Sequence, residues 1–116
     1  DNNEALQDGK MGGALALDFS NLESNDWPLI AKIYADDVYK ARYNDYVLET
    51  INGAFEVNSI QATYDSYSAL IEPYATTELS GYSFLRSAND FYQAIEQLKE
   101  HAESRTEAVD SYLDGQ

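Results

Sequence analysis

Few residues in this sequence belong to the types that catalyse reactions or bind metals through nitrogen or sulfur. The chain has a single His, His101, and no Cys. A His-rich or thiolate metal site, a disulfide and a Cys nucleophile are therefore excluded. The Ser residues have no plausible His–Asp partner set, so a serine-hydrolase triad is not expected. His101 lies between Glu100 and Glu103, and we interpret it as a solvated residue on a helix surface.

Carboxylates are the abundant functional groups. The chain contains 21 Asp and Glu against 7 Lys and Arg, a formal net charge of -14. Paired carboxylates occur throughout so acidic a chain, so a glycosidase pair cannot be singled out. The charge repels nucleic-acid phosphate and anionic lipid, and neither is expected as a primary partner. Metal ions and basic partners remain compatible with it, and a salt-rich habitat would also explain it.

Other sequence signals of function are absent. The sequence contains no G-x-G-x-x-G or Walker motif, and no apolar run approaches the roughly 18 residues of a membrane span. Residues 1–4 gather oxygen ligands as the start of a calcium loop does. Ala5 and Leu6, however, stand where an EF-hand needs another oxygen ligand and a Gly. From the residues alone, this tetrapeptide is an ordinary polar turn.

The longest helical pattern runs from Ser87 to Leu113. It has no Pro or Gly, and Gly115 follows where a helix stop belongs. Ser87 is a good N-cap, and Asp90 three residues later nearly completes a capping box. Apolar residues recur on one face of this predicted helix, at Phe91, Ile95, Leu98, Ala102, Val109 and Leu113.

Three shorter helices are predicted before it. Trp27-Pro28 marks the start of a helix of about two turns, with Trp27 buried at the junction. The second helix runs over residues 38–52 and stops at Gly53 in a left-handed cap. The third is capped by Asn58 and kinked or ended by Pro73. The expected buried stripes are Tyr39, Tyr43, Tyr46, Val47 and Ile51 in the second helix, and Ile60, Tyr64, Tyr67, Ile71 and Tyr74 in the third.

Residues 1–26 lack a helical pattern, because Gly9, Gly12 and Gly13 interrupt them. We therefore predict an all-α fold: a small bundle of about four helices, the last one long, preceded by an irregular N-terminal arm. The predicted division is an extended or irregular arm over residues 1–26 and a helical domain over residues 27–116. Because the chain begins in mid-pattern without Met, we expect it to be a fragment or a domain of a longer polypeptide.

Several short stretches occur in an order and spacing that cover nearly the whole chain. They are Asp1-Asn2-Asn3, the arm from Leu15 to Phe19, Trp27-Pro28-Leu29-Ile30, Asp37-x-Tyr39-Lys40-x-Arg42-Tyr43, Leu70-Ile71-x-Pro73, and the long helix with Phe91, Leu98, Arg105 and Val109. Together they resemble the C-terminal part of the CotH family, the spore-coat kinase-like proteins.

The resemblance implies an atypical protein kinase that uses ATP and a divalent ion to phosphorylate partner proteins. In the family, an Asp-x-[Asp/Asn] stretch preceded by Trp supplies the metal-binding Asp. Asp1 matches that position and Asn3 is a second oxygen ligand, although the preceding Trp is missing here. Mg or Mn with ATP is implied for the intact parent protein, and no cofactor is expected for this chain alone. No catalytic residue is assigned, and the cofactor-binding residues are unknown.

The implied function is that of a helical C-terminal subdomain, not catalytic on its own, whose residues 1–26 could end an upstream catalytic lobe. The implied partners are that kinase lobe and a protein substrate. The implied location is extracytoplasmic: secreted, at the cell surface or coat-associated. The alternative is a stand-alone acidic helical module for protein–protein interaction. A carbohydrate-binding module that uses exposed Tyr is a third possibility.

Overall fold

The computed structural model describes residues 16–22, 25–79, 81–82 and 85–116. These residues form four α-helices, namely α1 (Pro28–Tyr34), α2 (Asp37–Asn52), α3 (Val57–Ala75) and α4 (Ala88–Asp114), and they contain no strand. The prediction of a small all-α bundle with a long last helix is confirmed. Residues 16–22 form irregular chain ahead of α1. The domain division at residue 26 stays a prediction, since most of residues 1–26 lie outside the described ranges.

The α4 helix is the element on which α2 and α3 pack. Its apolar face lies inward as predicted, with Phe91, Ala102 and Val109 buried. Antiparallel α3 packs along the first part of α4, where the Gln61 amide nitrogen donates to the Glu103 carboxylate at 2.7 Å. The α2 helix meets the last turns of α4, and α1 packs on α2. No helix among the described residues is both long and apolar enough to cross a membrane.

Acidic side chains form hydrogen bonds at the starts of α2 and α4. Asp36 caps α2 by accepting hydrogen bonds from the N–H groups of Val38 (3.0 Å) and Tyr39 (3.2 Å). Ser87 is the N-cap residue of α4, as predicted, but its hydroxyl donates to Asp90 at 3.0 Å instead of bonding the helix backbone. The second Asp90 oxygen accepts the Arg86 N–H at 2.8 Å. Asp90 therefore fastens the loop that enters α4.

The predicted start of α3 at an Asn58 cap is wrong. The helix begins at Val57 and Glu56 is its N-cap. The two Glu56 oxygens accept from the N–H groups of Asn58 (3.1 Å) and Ser59 (2.8 Å). A glutamate is long enough to reach both donors, so it replaces the shorter side chains that usually occupy this position.

The alternative that α3 ends at Pro73 is also wrong, because α3 continues to Ala75 with Pro73 inside it, and the alternative of a kink stays a prediction. A helical Pro leaves the carbonyl four residues earlier without its N–H donor. That residue, Ala69, is exposed, so water can hydrate its carbonyl and the helix need not break.

Gly53 ends α2 as predicted, but not in a left-handed conformation, since its φ is -127°. The reason for glycine is space: a Cβ at this position would lie 2.9 Å from the Glu49 carbonyl oxygen. A left-handed conformation is found instead at Gly81, where φ is 90°, between α3 and α4.

Burial departs from the predicted stripes in three places. Trp27, expected to be buried, is 57% exposed, because α1 has only seven residues and packs its Tyr34 end inward. In α2, Tyr43, Val47 and Ile51 face inward, but Tyr39 and Tyr46 are exposed. In α3, Ile60 and Tyr64 are half-buried, while the stripe residues that follow them, Tyr67, Ile71 and Tyr74, are exposed.

The buried stripe of α3 was predicted wrongly for a simple reason. The face of α3 that meets α4 includes polar residues such as Gln61 and Glu72, which bond across the helix pair. Hydrophobic periodicity gives no weight to such contacts, so it selected the neighbouring, more aromatic face.

The Glu56 cap makes the stability of the chain depend on pH. Hydrogen bonds from Ser59 and then Asn58 lower the pKa of Glu56 from 4.5 to about 2. A lowered folded-state pKa stabilises the folded form fully above pH 4.5, and this contribution is lost as the pH falls towards 2. We expect the Glu56→Gln variant to melt below wild type at neutral pH, and the difference between the two to shrink steadily from about pH 4.5 to pH 2.

Circular dichroism melts across this pH range measure the effect. The matched control is Glu49→Gln, which removes the same charge from an exposed residue of α2. A Glu56→Gln deficit that stays constant with pH would show that the cap acts through its shape and not through its ionised carboxylate.

Candidate functional site

The irregular segment at residues 16–22 is held by four aromatic side chains, which we call the tyrosine cluster: Phe19, Tyr34, Tyr43 and Tyr112. The Phe19 ring lies 5.7 Å from the rings of both Tyr34 and Tyr43, measured between centroids. Tyr34 and Tyr43 are 6.0 Å apart, and Tyr43 and Tyr112 are 6.2 Å apart. Three of these four pairs are edge-to-face, a favourable arrangement for aromatic rings. The cluster thus joins the arm to α1, α2 and α4.

A chain of short polar contacts runs through the cluster. The Tyr34 hydroxyl donates to the Asp18 carboxylate at 3.0 Å and lies 2.9 Å from the Tyr112 hydroxyl. The Tyr112 hydroxyl in turn lies 2.7 Å from the Asn44 amide oxygen, to which it donates. The two phenols have only two protons for these three contacts. If the Asn44 amide is rotated by 180°, its NH₂ donates to Tyr112, Tyr112 donates to Tyr34, and Tyr34 donates to Asp18, so each contact has its own proton.

The arm backbone is fastened at the same place. The Tyr43 hydroxyl donates to the Leu17 carbonyl at 3.0 Å. Within the arm, the Ser20 N–H donates to Asp18 at 2.8 Å and the Leu22 N–H donates to the Phe19 carbonyl at 3.2 Å. These bonds give residues 16–22 a defined path without a helix or a strand.

The electrostatics of the cluster favour an anchor over a catalytic role. Burial, with the hydrogen bonds to Tyr112 and Asp18, raises the pKa of Tyr34 far above its ordinary value. Burial likewise raises the pKa of Tyr43, while the Ser20 N–H lowers the pKa of Asp18. At neutral pH the phenols are therefore neutral and the carboxylate is ionised. A general acid–base catalyst needs a pKa near the working pH, and none of these groups has one.

The predicted metal ligands, Asp1 and Asn3, lie outside the described residues. Within the described ranges, no group of three or more His, Cys, Asp or Glu side chains is placed to hold a metal ion. The donor chemistry of Asp1 and Asn3 does fit Mg²⁺ or Mn²⁺, which prefer carboxylate and other oxygen ligands. Among the described residues, His101 is half-buried on α4 and not the fully solvated residue expected from the sequence.

A groove of about 270 Å³ lies between α3 and α4. Its lining residues are Asp65, Ser68, Ala69, Glu72, Phe91, Tyr92, Ile95 and Glu96. Two of its carboxylates are engaged between the helices: Asp65 pairs with Lys99, and Glu72 accepts the Tyr92 hydroxyl at 2.7 Å. These contacts serve the α3–α4 joint, so we assign the groove a structural role.

The sequence did not predict that Asp18, Asn44 and Tyr112 take part in one chain of hydrogen bonds. Asp18 was visible as the one charged residue in an otherwise apolar run, Ala14 to Phe19. Its contact with Tyr34 spans 16 positions, and the contact between Tyr112 and Asn44 spans 68. Pairings at such separations leave no periodic pattern in the sequence.

Removing the Tyr34 hydroxyl tests whether the tyrosine cluster anchors the arm to the helices. Replacing Tyr34 with Phe keeps the ring but removes the hydroxyl that meets Asp18 and Tyr112. We expect a loss of about 1–2 kcal/mol in the free energy of unfolding, because the buried Tyr112 contact loses its partner. Urea titration followed by circular dichroism measures it. The control is Tyr39→Phe at an exposed position of α2, where a change within about 0.5 kcal/mol is expected. Equal effects in the two variants would contradict an anchoring role for the Tyr34 hydroxyl.

Comparison with known proteins gives a family. The model of the family CotH, described as CotH kinase protein, matches residues 1–109, which include the arm, all of α1, α2 and α3, and most of α4. Searches of curated proteins and of solved structures each returned no significant match. Since the matched region covers well over half of the 116 residues, this chain belongs to the CotH kinase protein family.

Proposed function

We propose that this chain is the helical C-terminal subdomain of a CotH-like atypical protein kinase and that it is not catalytic on its own. The observation that carries the proposal is the continuous family match over residues 1–109, which joins Asp1 and Asn3 to the helices in one unit. The tyrosine cluster supports it, since it fixes the chain that follows these two residues against α1, α2 and α4.

The requirements of phosphoryl transfer support the absence of activity in the isolated chain. The reaction needs a phosphate-covering loop, a Lys on the phosphates, a catalytic Asp and metal ligands. These 116 residues contain no G-x-G-x-x-G or Walker motif, and of the parts that the reaction needs, the resemblance assigns only metal ligands, Asp1 and Asn3, to this chain. When bound, Mg²⁺ or Mn²⁺ would offset the charge of the ATP phosphates. Asp1 would contribute a carboxylate oxygen and Asn3 an amide oxygen, with phosphate and water filling the remaining positions.

The exposed apolar surface supports contacts beyond this chain. Eight large apolar side chains are exposed on α1, on α2 and just before α1, namely Trp27, Leu29, Ile30, Ile33, Val38, Tyr39, Tyr46 and Leu48. Exposed apolar surface of this extent commonly marks contact with another protein surface. We therefore propose an upstream kinase lobe as a structural partner, a protein as the substrate, and Mg or Mn with ATP as cofactors of the intact protein. By the same family argument, we propose an extracytoplasmic, cell-surface or spore-coat location.

Nucleotide-dependent thermal stability tests this proposal. A ligand that binds the folded state raises its melting temperature. We expect ATP with Mg²⁺ or Mn²⁺ to leave the melting temperature of the 116-residue chain unchanged and to raise that of the full-length gene product. In the full-length protein, Asp1→Asn should abolish the shift and also remove phosphoryl transfer to the protein substrate. The matched control is Asp8→Asn, the same substitution a few residues away at a position to which the resemblance assigns no ligand.

Three results would contradict the proposal. Clear stabilisation of the isolated chain by nucleotide would show that the binding site is complete within it. A full-length protein that neither binds ATP nor transfers phosphate would favour the alternative, an acidic interaction module. An Asp1→Asn variant with normal activity would remove Asp1 from the metal site.

A further inference from the structure

One face of α3 is apolar, exposed and without a partner among the residues that the structure describes. It consists of Tyr67, Leu70, Ile71 and Tyr74, which we call the outer α3 face. Their side chains are 64%, 66%, 49% and 75% exposed, respectively. The spacing of three, four and seven places all four on one side of the helix. The opposite side of α3 meets α4, so this helix has an inner face that is already packed and an outer face that is not.

The outer α3 face carries no charge. In the whole of α3 only Asp65 and Glu72 are charged, and both are engaged with α4, through Lys99 and Tyr92. A chain with 21 acidic residues and a net charge of -14 thus leaves one of its most exposed helix faces uncharged.

This face is far from the tyrosine cluster. The bond between Glu72 and Tyr92 places the last turns of α3 beside the first turns of α4. Tyr112, the member of the cluster on α4, follows Tyr92 by 20 residues, or about 30 Å along the helix axis. A protein bound at the outer α3 face would therefore leave the arm and its anchor free.

We infer that the outer α3 face binds a second copy of this chain, as a two-fold symmetric dimer in which α3 packs against α3. In a two-fold contact the same patch occurs on both sides of the interface. On so acidic a surface, most patches would place carboxylates opposite carboxylates, which is costly. The outer α3 face instead places Tyr, Leu and Ile opposite Tyr, Leu and Ile. The absence of carboxylates from the outer α3 face favours a second copy over a basic protein partner.

The size of the patch sets the expected strength of the dimer. An aromatic side chain can bury about 150–250 Å², so the four partly exposed residues offer roughly 500 Å² per copy. The total of about 1,000 Å² is at the lower end for specific interfaces. We therefore expect a weak dimer that forms at high protein concentration. Because each copy carries a net charge of -14, added salt should screen the repulsion and strengthen the association.

Sedimentation equilibrium of the 116-residue chain tests the inference. We expect a reversible monomer–dimer equilibrium that shifts towards dimer when the salt is raised from about 0.05 M to about 0.5 M. Leu70→Glu should weaken association at least about tenfold, because it opposes two carboxylates across the symmetry axis. The control is Leu29→Glu, the same substitution at a leucine of α1 that is 69% exposed against 66% for Leu70, and it should associate like wild type. Circular dichroism verifies that both variants remain helical.

Tyr74→Glu is a second variant on the same face, in case Leu70→Glu disturbs folding, and it too should weaken the dimer. A chain that stays monomeric at every concentration and in both salts would overturn the inference. A dimer weakened equally by Leu29→Glu would place the interface elsewhere, and association that falls with added salt would contradict the charge argument. Each of these results is independent of whether the full-length protein is a kinase.

Discussion

The burial of one face of α4 is the interaction on which this structure depends. Ala102, at the middle of that face, is fully buried, and a small residue there lets neighbouring backbones approach closely. With 27 residues the helix is about 40 Å long, and α2 and α3 each pack on a different part of it. The arm and α1 join this assembly through the side chains that meet at the last turns of α4. The fold is therefore organised along one helix and not around a central core.

This arrangement gives the two ends of α4 different chemistry. At the C-terminal end, buried and half-buried phenols connect α4 to α1, α2 and the arm, and burial raises the pKa values of two of them, Tyr34 and Tyr43. At the N-terminal end, charged groups such as Lys99 and Asp65 join α4 to α3 across an open groove. The first end anchors residues 16–22, which follow the proposed ligands Asp1 and Asn3 in the sequence, whereas the second leaves an uncharged face of α3 exposed. The two proposed roles, support of a metal-binding segment and association with a second copy, therefore involve separate surfaces.

The sequence predicted the elements better than it predicted their contacts. The extent and the buried face of α4 were predictable, because the helix has 27 residues and contains no Gly or Pro. Over so many turns, one or two residues that depart from the hydrophobic pattern do not hide it. The buried face of α3 was not, because Tyr is apolar in its ring and polar at its hydroxyl, and such residues are stable on either face of a helix. The Glu56 cap and the persistence of α3 through Pro73 depend on local backbone geometry that residue types alone do not fix. The Asp18–Tyr34 contact depends on tertiary structure, and the assignment of Asp1 and Asn3 came from the family resemblance alone.

Native-state hydrogen exchange, read residue by residue by NMR, tests the central claim most directly. Amides protected only by global unfolding belong to the most stable part of a structure. If α4 holds the assembly together, its amides from Leu98 to Val109 should exchange most slowly, the inward faces of α2 and α3 should follow, and α1 should exchange fastest among the helices. Slower exchange in α2 or α3 than in the middle of α4, or equal protection of all four helices, would contradict the account.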